Sequence, residues 1–398
     1  MTPPRIALVT GANQGLGRAL VDRLAAGLAP DDLVLLTGRD PECVRAAAAD
    51  ASGHAVARVE GRVLDVRDGP ATEALAAELG AVDIVFSNAT ARMTPDADPA
   101  DEVDEIAETS NLATSRMLRA FGPRLRPGGR LIVVASALGT LDKLDERVAG
   151  RFAAAAAGGL AAVDALVADW RAAVHDGRAE DEGFGSWLNI PSKVAQVAAV
   201  RAVARDRRAA DLADGKLVMA LCPGLIDTDA SRPWFADMST AQTPAEAASW
   251  PVELALAESF DPRFHGELVQ FGQVVPWESG VPVTPAATGR RSRAITRPGR
   301  RRPQSSRSRP TPAATTRWPR TTPRRFASGA DAGRRVRSRT YSAVTPAAIR
   351  LDMAVLLLMV AVVFIGRPPG RERGWRAGTG RRRQRRPPGR GRAGRRSR

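Results

Sequence analysis

Short apolar runs recur along the first 280 residues, separated by longer amphipathic stretches. The runs are residues 6–9, 33–36, 82–86, 130–136, 216–222 and 267–271. An unbroken apolar run is typical of a parallel strand that is buried on both faces. The Ala- and Leu-rich stretches between the runs have helical spacing. We therefore predict an α/β fold with a doubly wound, mostly parallel sheet of about seven strands flanked by helices.

The pattern stops near residue 280. Residues 281–398 are rich in Arg, Pro, Ser, Thr, Gly and Ala, and only the run at 353–366 is apolar. A segment of this composition buries too little apolar surface to offset the entropy of ordering. We therefore predict two parts, a folded domain at 1–280 and a disordered low-complexity tail at 281–398. The 14-residue run is shorter than the roughly 20 residues that span a bilayer, so we assign no membrane span; the alternative is a marginal membrane helix or an interfacial segment.

Charge divides the chain at the same place. Residues 281–398 hold 32 Arg and three acidic residues, a net charge of +29, whereas the whole chain carries +16 and residues 1–280 therefore −13. Binding of nucleic acid or an anionic surface could rest only on the tail. The chain has three Lys against 56 Arg, which is typical of GC-rich coding sequence, and a frameshift or read-through product would have this composition. We assign the tail no function and no nucleic-acid partner.

Cysteine content and the N-terminus bear on the compartment. Cys43 and Cys222 are the two cysteines, and their spacing fits neither a disulfide framework nor a zinc site. The sequence MTPPRIALVTG enters the first predicted strand at once, without the pattern of a signal peptide. We expect a cytoplasmic protein with no metal site.

A glycine-rich loop follows the first strand directly. In TGANQGLG, at residues 10–17, Gly11, Gly15 and Gly17 allow a tight turn at the start of the first helix. Such a turn brings backbone N–H groups close to a pyrophosphate at the helix N-terminus. Strand, loop and helix in this order predict a Rossmann-type dinucleotide site.

The loop resembles the TGxxxGxG fingerprint of the short-chain dehydrogenase/reductase superfamily, and further similarities follow in the family's order over residues 5–278. They are Asp65 in LDV, the SNA at 87–89, Asn111 in TSNLAT, Ser136 after LIVVA, Lys193, and Pro223, Gly224 and Thr228 in the PG…T element. The resemblance implies that Asp65 contacts the adenine ring and that the PG…T element closes over the nicotinamide. Asn111, Ser136 and Lys193 then belong to the catalytic set.

A long insertion narrows the resemblance. Residues 141–187 separate Ser136 from the next motif, and they are similar to the helical insertion of monomeric carbonyl reductases. In that subgroup the insertion covers the surface that other members use to form tetramers, so the resemblance implies a monomer. The ending HGELVQFGQVVPW, at 265–277, is also similar to the subgroup's last strand and places the end of the domain near residue 278.

The residue after the second strand predicts the cofactor. Dinucleotide folds that select NAD usually carry Asp or Glu there, whereas LLTGRD places Arg39 first. A guanidinium suits the 2′-phosphate of NADP(H); the alternatives are a solvated loop arginine and a role for Asp40 in selecting NAD. The predicted cofactor-binding residues are Thr10, Gly11, Asn13, Gly15, Leu16, Gly17, Arg39, Asp65, Asn88, Lys193, Pro223, Gly224 and Thr228.

One catalytic residue departs from the family's pattern. The family carries Tyr four residues before the lysine, as the acid that protonates the carbonyl oxygen during hydride transfer, but this chain has Asn189 there. An amide does not release a proton at accessible pH. Lys193, a water on Ser136 and His175 are alternative donors. We predict an NADPH-dependent reductase of small carbonyl compounds, weakened by the substitution; the alternative is an NADP(H)-binding pseudoenzyme or regulatory module.

Overall fold

The computed structural model describes residues 3–278. The predicted tail at 281–398, its apolar run at 353–366 and the boundary at 280 lie outside these residues. Within residues 3–278, no helix is both long enough and apolar enough to cross a bilayer.

A single sheet of eight strands organises the domain. Its strands are β1 (Ile6–Val9), β2 (Leu33–Gly38), β3 (Arg58–Val63), β4 (Val82–Ser87), β5 (Leu125–Val134), β6 (Leu217–Cys222), β7 (Leu268–Gln270) and β8 (Gln273–Val275). The order across the sheet is β3-β2-β1-β4-β5-β6-β7-β8. All neighbours pair in parallel except β7 and β8, which pair antiparallel. The predicted doubly wound, mostly parallel sheet is confirmed.

Helices flank the sheet on both faces. They are α1 (Gly15–Gly27), α2 (Pro41–Ser52), α3 (Gly69–Leu79), α4 (Pro99–Ile106), α5 (Ala113–Phe121), α6 (Glu146–Gly158), α7 (Leu160–His175), α8 (Ala179–Glu182), α9 (Asn189–Ala213), α10 (Pro244–Ala247) and α11 (Ser249–Leu256). A π-helical segment, Ala107–Leu112, joins α4 to α5. The 3-10 turns are Gly122–Arg124, Ala137–Gly139, Leu141–Lys143, Arg232–Trp234 and Pro262–Phe264.

Three of the helices on this chain begin with the same local signal, an aspartate followed within two residues by proline. The side chains of Asp40, Asp68 and Asp98 accept hydrogen bonds from backbone N–H groups in the first turns of α2, α3 and α4. The aspartate pairs one of the helix's otherwise unpartnered N–H groups, and proline fits the first turn because it has no N–H to leave unpaired. These helices therefore start where their sequences dictate.

The two faces of the sheet are buried in two separate apolar clusters. Along β1, Leu8 belongs to the cluster that includes α5, α7 and α9, whereas Ala7 and Val9 belong to the cluster with α1, α2 and α11. Burial on both faces leaves no side of the strand for polar residues. This is the physical reason for the continuous apolar runs.

Two strands, β3 and β8, lack the continuous apolar run of the other strands. β3 has the sequence RVEGRV and forms the edge of the sheet, with its side chains exposed or half-buried. β8 has three residues and closes a tight hairpin with β7 through Phe271 and Gly272, both at positive φ. Edge strands carry charge because one side of them is unpaired. The count of eight strands therefore exceeds the predicted count of about seven.

The predicted helical insertion is confirmed as α6, α7 and α8. Its aromatic contact is internal, with Phe152 and Phe184 edge to face at 6.4 Å. α7 is held to α5 by Asp164, which accepts from Ser115 Oγ at 2.6 Å and pairs with Arg119. The insertion thus covers the outer side of α5 and α9.

A buried histidine predicts how stability depends on pH. His265 is fully buried, Nδ1 accepts from Val218 N–H at 3.4 Å and Nε2 faces Ala204 O at 3.2 Å, so a neutral ring with its proton on Nε2 satisfies both atoms. Burial lowers the pKa of His265, against the attraction of Asp211. The folded state therefore stays neutral at a pH where the unfolded chain binds a proton.

We expect the free energy of unfolding to be unaffected by His265 above pH about 6.5 and to fall below it, by up to about 1.4 kcal/mol per pH unit. Urea unfolding between pH 7.5 and 5 measures this. His265→Gln should flatten the slope. An equal slope in the unmodified and variant proteins would contradict the assignment.

Candidate active site

The carboxyl ends of β1 and β4 are tied together by two side chains from the sequence-predicted set. Thr10 Oγ1 accepts from the backbone N–H groups of Asn88 and Ala89 at 2.9 and 3.0 Å. Asn88 Nδ2 donates in return to the carbonyl oxygens of Thr10 and Gly11, at 2.9 and 3.1 Å. Thr10 is fully buried. These hydrogen bonds fix the start of the glycine loop at the position in the sheet where the strand order reverses.

The glycine loop is shaped for close backbone approach. A Cβ on Gly17 would lie 2.3 Å from Gly11 O and 2.6 Å from Asn88 Nδ2, so no other residue fits without displacing the loop. The first turn of α1 has no acidic residue and no side-chain cap, and Leu16 is buried behind it. The N–H groups of this turn are therefore available to an anion, and the helix dipole favours one. The loop fits a pyrophosphate.

The end of β2 carries the residues that predict cofactor choice. Arg39 is exposed, and its Nη1 pairs with Glu105 Oε1 at 3.0 Å. Asp40 caps α2 through a 2.7 Å hydrogen bond from Cys43 N–H, which holds its pKa below the ordinary value. Asn13 lies against Gly38, where a Cβ would come within 3.3 Å of Asn13 Oδ1. Asp40 thus has a structural partner, while Arg39 takes part in an exposed ion pair with Glu105.

Asp65, the predicted adenine contact, lies in a salt bridge at the end of β3. Arg67 Nη2 contacts Asp65 Oδ2 at 2.6 Å, and Arg67 Nε contacts both carboxylate oxygens. Hydrogen bonds from Arg67 lower the pKa of Asp65. The carboxylate is therefore ionised and oriented, and it retains lone pairs that can accept a further hydrogen bond.

Asn111 lies in the π-helical segment between α4 and α5. Its Nδ2 donates to Ser192 O at 2.7 Å, on the residue before Lys193. Its Oδ1 is buried and has no partner among the described residues. A buried acceptor left without a protein partner fits an ordered water. π-Helical turns are frequent at functional sites, and this one ties Asn111 to the first turn of α9.

Ser136 follows β5 and caps the 3-10 turn that ends at Gly139. Its Oγ accepts from Leu138 N–H at 3.2 Å, which leaves the hydroxyl proton for another acceptor. A Cβ on Gly139 would lie 3.0 Å from Lys193 O and 2.7 Å from Val197 Cγ2. The absence of a side chain at 139 therefore allows the Ser136 turn to lie directly against α9.

The end of the domain clamps the same turn. Trp277 is buried, its Nε1 donates to Gly139 O at 3.0 Å, and its carbonyl oxygen accepts from Leu141 N–H at 2.9 Å. Arg201 lies over the indole at 4.7 Å and pairs with Glu267. Sequence reasoning missed this contact, because the two segments are far apart along the chain.

Asn189 and Lys193 both lie in the first turns of α9 and are half-buried. Four residues apart, they share one face of the helix. Lys193 Nζ donates to Gln196 Oε1 at 2.8 Å. Burial lowers the pKa of Lys193 to about 8, against the electrostatic effect of the nearby Cys222. The ammonium is thus partly destabilised before any ligand binds.

The PG…T element borders the loop on its other side. Gly224 has φ +85, and the Pro223 carbonyl accepts from Gln242 Nε2 at 2.9 Å. Thr228 Cγ2 would lie 3.7 Å from a Cβ on Gly15, so this element reaches the glycine loop. Beyond it, Trp234 packs on Trp187 with ring centroids 6.0 Å apart, at the point where the insertion ends.

His175 is not part of this cluster. Its Nε2 contacts Asp104 at 2.7 Å on the outside of α4, where Arg171 binds the same carboxylate at 2.6 Å. This ion pair gives no support to the alternative of His175 as a proton donor. Sequence reasoning missed Gln196, which is 1% exposed. The sequence feature that could have identified Gln196 is a single amide side chain within the apolar segment VAQVAAV, one turn after Lys193.

Over most of the described domain, the chain is similar to a known protein family and to individual members of it. The model of the short chain dehydrogenase family matches residues 5–171. Carbonyl reductase [NADPH] 3 of Mus musculus is 30% identical over 284 residues, which cover 69% of this chain and 98% of that protein. Carbonyl reductase [NADPH] 1 of Bos taurus is 28% identical over 283 residues, which cover 68% of this chain and 98% of that protein.

Solved structures share the fold. Salutaridine reductase from Papaver somniferum is similar with a TM-score of 0.53 and 21% identity, covering 66% of this chain and 99% of its own. Menthone neomenthol reductase from Mentha piperita has a TM-score of 0.53 and 20% identity, covering 68% and 99%.

Proposed function

Because this chain belongs to the short-chain dehydrogenase family, we propose that it is an NADPH-dependent reductase of small carbonyl compounds. The family is one of oxidoreductases, and the cofactor of this chain is NADP(H), in keeping with relatives that are named for NADPH. A cytoplasmic location and a monomeric state remain predictions.

One observation carries the proposal: three candidate catalytic residues on separate elements are tied to the same turn of α9. Asn111 binds Ser192 O, and the Ser136 turn contacts Lys193 O through Gly139. A binding module has no need to hold all three at one place. This arrangement supports turnover as well as cofactor binding.

Each residue has a proposed role. The glycine loop and α1 hold the pyrophosphate, Asp65 accepts from the adenine, and Lys193 binds the nicotinamide ribose. The bound cofactor supplies the hydride. Ser136 donates a hydrogen bond to the carbonyl oxygen, where negative charge develops, and Asn111 holds a water beside α9.

The proposed phosphate contact gives the first prediction here. Arg39→Ala should weaken NADPH binding by about 1–3 kcal/mol, the range of a charge-assisted hydrogen bond, and leave NADH affinity nearly unchanged. Glu105→Gln is the matched variant, and it should change NADPH affinity in the opposite direction. It removes the competing partner of Arg39 and should tighten NADPH binding modestly, with no effect on NADH.

Titration of both cofactors by calorimetry measures the two effects. Equal affinity of the unmodified protein for NADPH and NADH would remove Arg39 from the account, as would equal losses for the two cofactors in Arg39→Ala.

The second prediction concerns the substituted position. Asn189→Tyr should place a phenol on the helix face of Lys193 and raise carbonyl reduction at least about tenfold, the lower edge of what a restored general acid delivers once imperfect placement is allowed for. Asn189→Phe is the matched control, since it has the same ring without the hydroxyl and should give no gain. Steady-state rates of NADPH oxidation with an aldehyde and ketone panel measure both.

The alternative is an NADP(H)-binding module without turnover. It is favoured by Asn189, because an amide at this position cannot release the proton that carbonyl reduction needs. A variant Asn189→Tyr that binds NADPH normally and reduces no carbonyl would favour this module over the reductase.

A further inference from the structure

Reduction of a carbonyl requires a proton as well as a hydride, and Asn189 cannot release one. Among the groups placed around the first turns of α9, the Lys193 ammonium is the acidic one. Ser136 and Thr114 are alcohols, and burial raises the pKa of the Cys222 thiol. The geometry around Lys193 therefore decides where the proton comes from.

Gln196 holds the Lys193 ammonium in a fixed orientation. Thr114 Oγ1 donates to Ser110 O at 2.7 Å, so its oxygen can only accept from Gln196 Nε2, at 3.2 Å. The amide is thereby oriented with Oε1 towards Lys193 Nζ. One of the three ammonium N–H bonds is used, and two remain for a ribose hydroxyl and a substrate oxygen.

The partner of the ammonium is neutral. Besides burial, only the Cys222 thiol at the end of β6 affects the charge on Lys193 within the described chain, and no carboxylate does so. A buried ammonium beside a neutral amide loses its proton more readily than one that is paired with an anion. The lowered pKa of about 8 is close to the pH at which a general acid works well.

We propose that Lys193 Nζ is itself the proton donor in this chain, and that Gln196 is the residue that positions it. The inference rests on the proposed function. In the step, an N–H bond of Lys193 breaks and an O–H bond forms on the substrate oxygen, as the carbonyl carbon accepts the hydride that a bound NADPH would supply on its oxidation to NADP⁺. Lys193 is left neutral and regains a proton from water.

Gln196→Glu tests the proposal, because it changes the charge of the partner with little change in shape. A carboxylate 2.8 Å from Nζ should raise the pKa of Lys193 by about 1–3 units. The alkaline limb of the pH profile of kcat should move to higher pH by the same amount. Gln196→Met removes the acceptor and should move this limb to lower pH. It provides a second variant if the Gln196→Glu protein does not fold.

The same shift can be measured without cofactor or substrate. The chain has three lysines, and Lys143 and Lys216 form ion pairs with Asp142 and Asp214. In the Lys143→Arg, Lys216→Arg background, Lys193 is the single lysine, so carbon-13 labelled lysine gives one side-chain signal. We expect it to titrate near pH 8, and to move with Gln196→Glu as the kinetic limb does.

The outcomes separate the two proposals. Kinetic and spectroscopic shifts that agree support Lys193 as donor. A spectroscopic shift with an unmoved kinetic limb overturns that role and leaves the reductase standing. NADPH binding without turnover in every variant overturns the proposed function itself.

Two further variants bear on the donor. Lys193→Arg keeps the charge, but arginine does not release a proton in proteins. It should bind NADPH within a few-fold and lose at least about 100-fold in kcat. Tyr341→Phe should leave kcat unchanged; loss of activity there would make Tyr341 the donor and end the proposal.

Discussion

The candidate site depends on one constraint: the carboxyl ends of the parallel strands meet at a single edge of the sheet. β1 lies between β2 and β4, so the chain leaves it in one direction and later returns on the other side. The glycine loop, Asn88, Ser136 and the PG…T element follow four different strands and still come to the same edge. The Thr10–Asn88 hydrogen bonds hold the two central strand ends together, and a cofactor would lie across them.

The chemistry depends on a second element, the first turns of α9. Asn111 reaches this helix through Ser192 O, the Ser136 turn through Gly139, and the end of the domain through Trp277. Beyond this helix, Trp187 and Trp234 pack against each other and bring the end of the insertion against the loop after the PG…T element. Asn189 begins the helix on which these contacts converge, and in the proposed mechanism it bears on the source of the proton.

The sequence predicted the sheet because strands buried on both faces leave continuous apolar runs, and it predicted the glycine loop because its conformation needs glycine. It failed for β3 and β8, which lie near or at edges and carry no such run. The order of the motifs indicated Asn111, Ser136 and Lys193 as candidate catalytic residues. It could not indicate that Glu105 pairs with Arg39, that Gln196 binds Lys193, or that Trp277 clamps Gly139. These contacts arise from packing between distant segments, which local pattern does not encode.

The central proposal is that this chain transfers a hydride with Asn189, and not a tyrosine, four residues before Lys193. The most direct measurement uses NADPH that is doubly deuterated at the nicotinamide C4, with an aldehyde and ketone panel, and mass spectrometry of the products. The account predicts an alcohol with one deuterium on the carbon that was the carbonyl carbon, and loss of that product in Lys193→Met. Tight NADPH binding without any deuterated alcohol across the panel would contradict it.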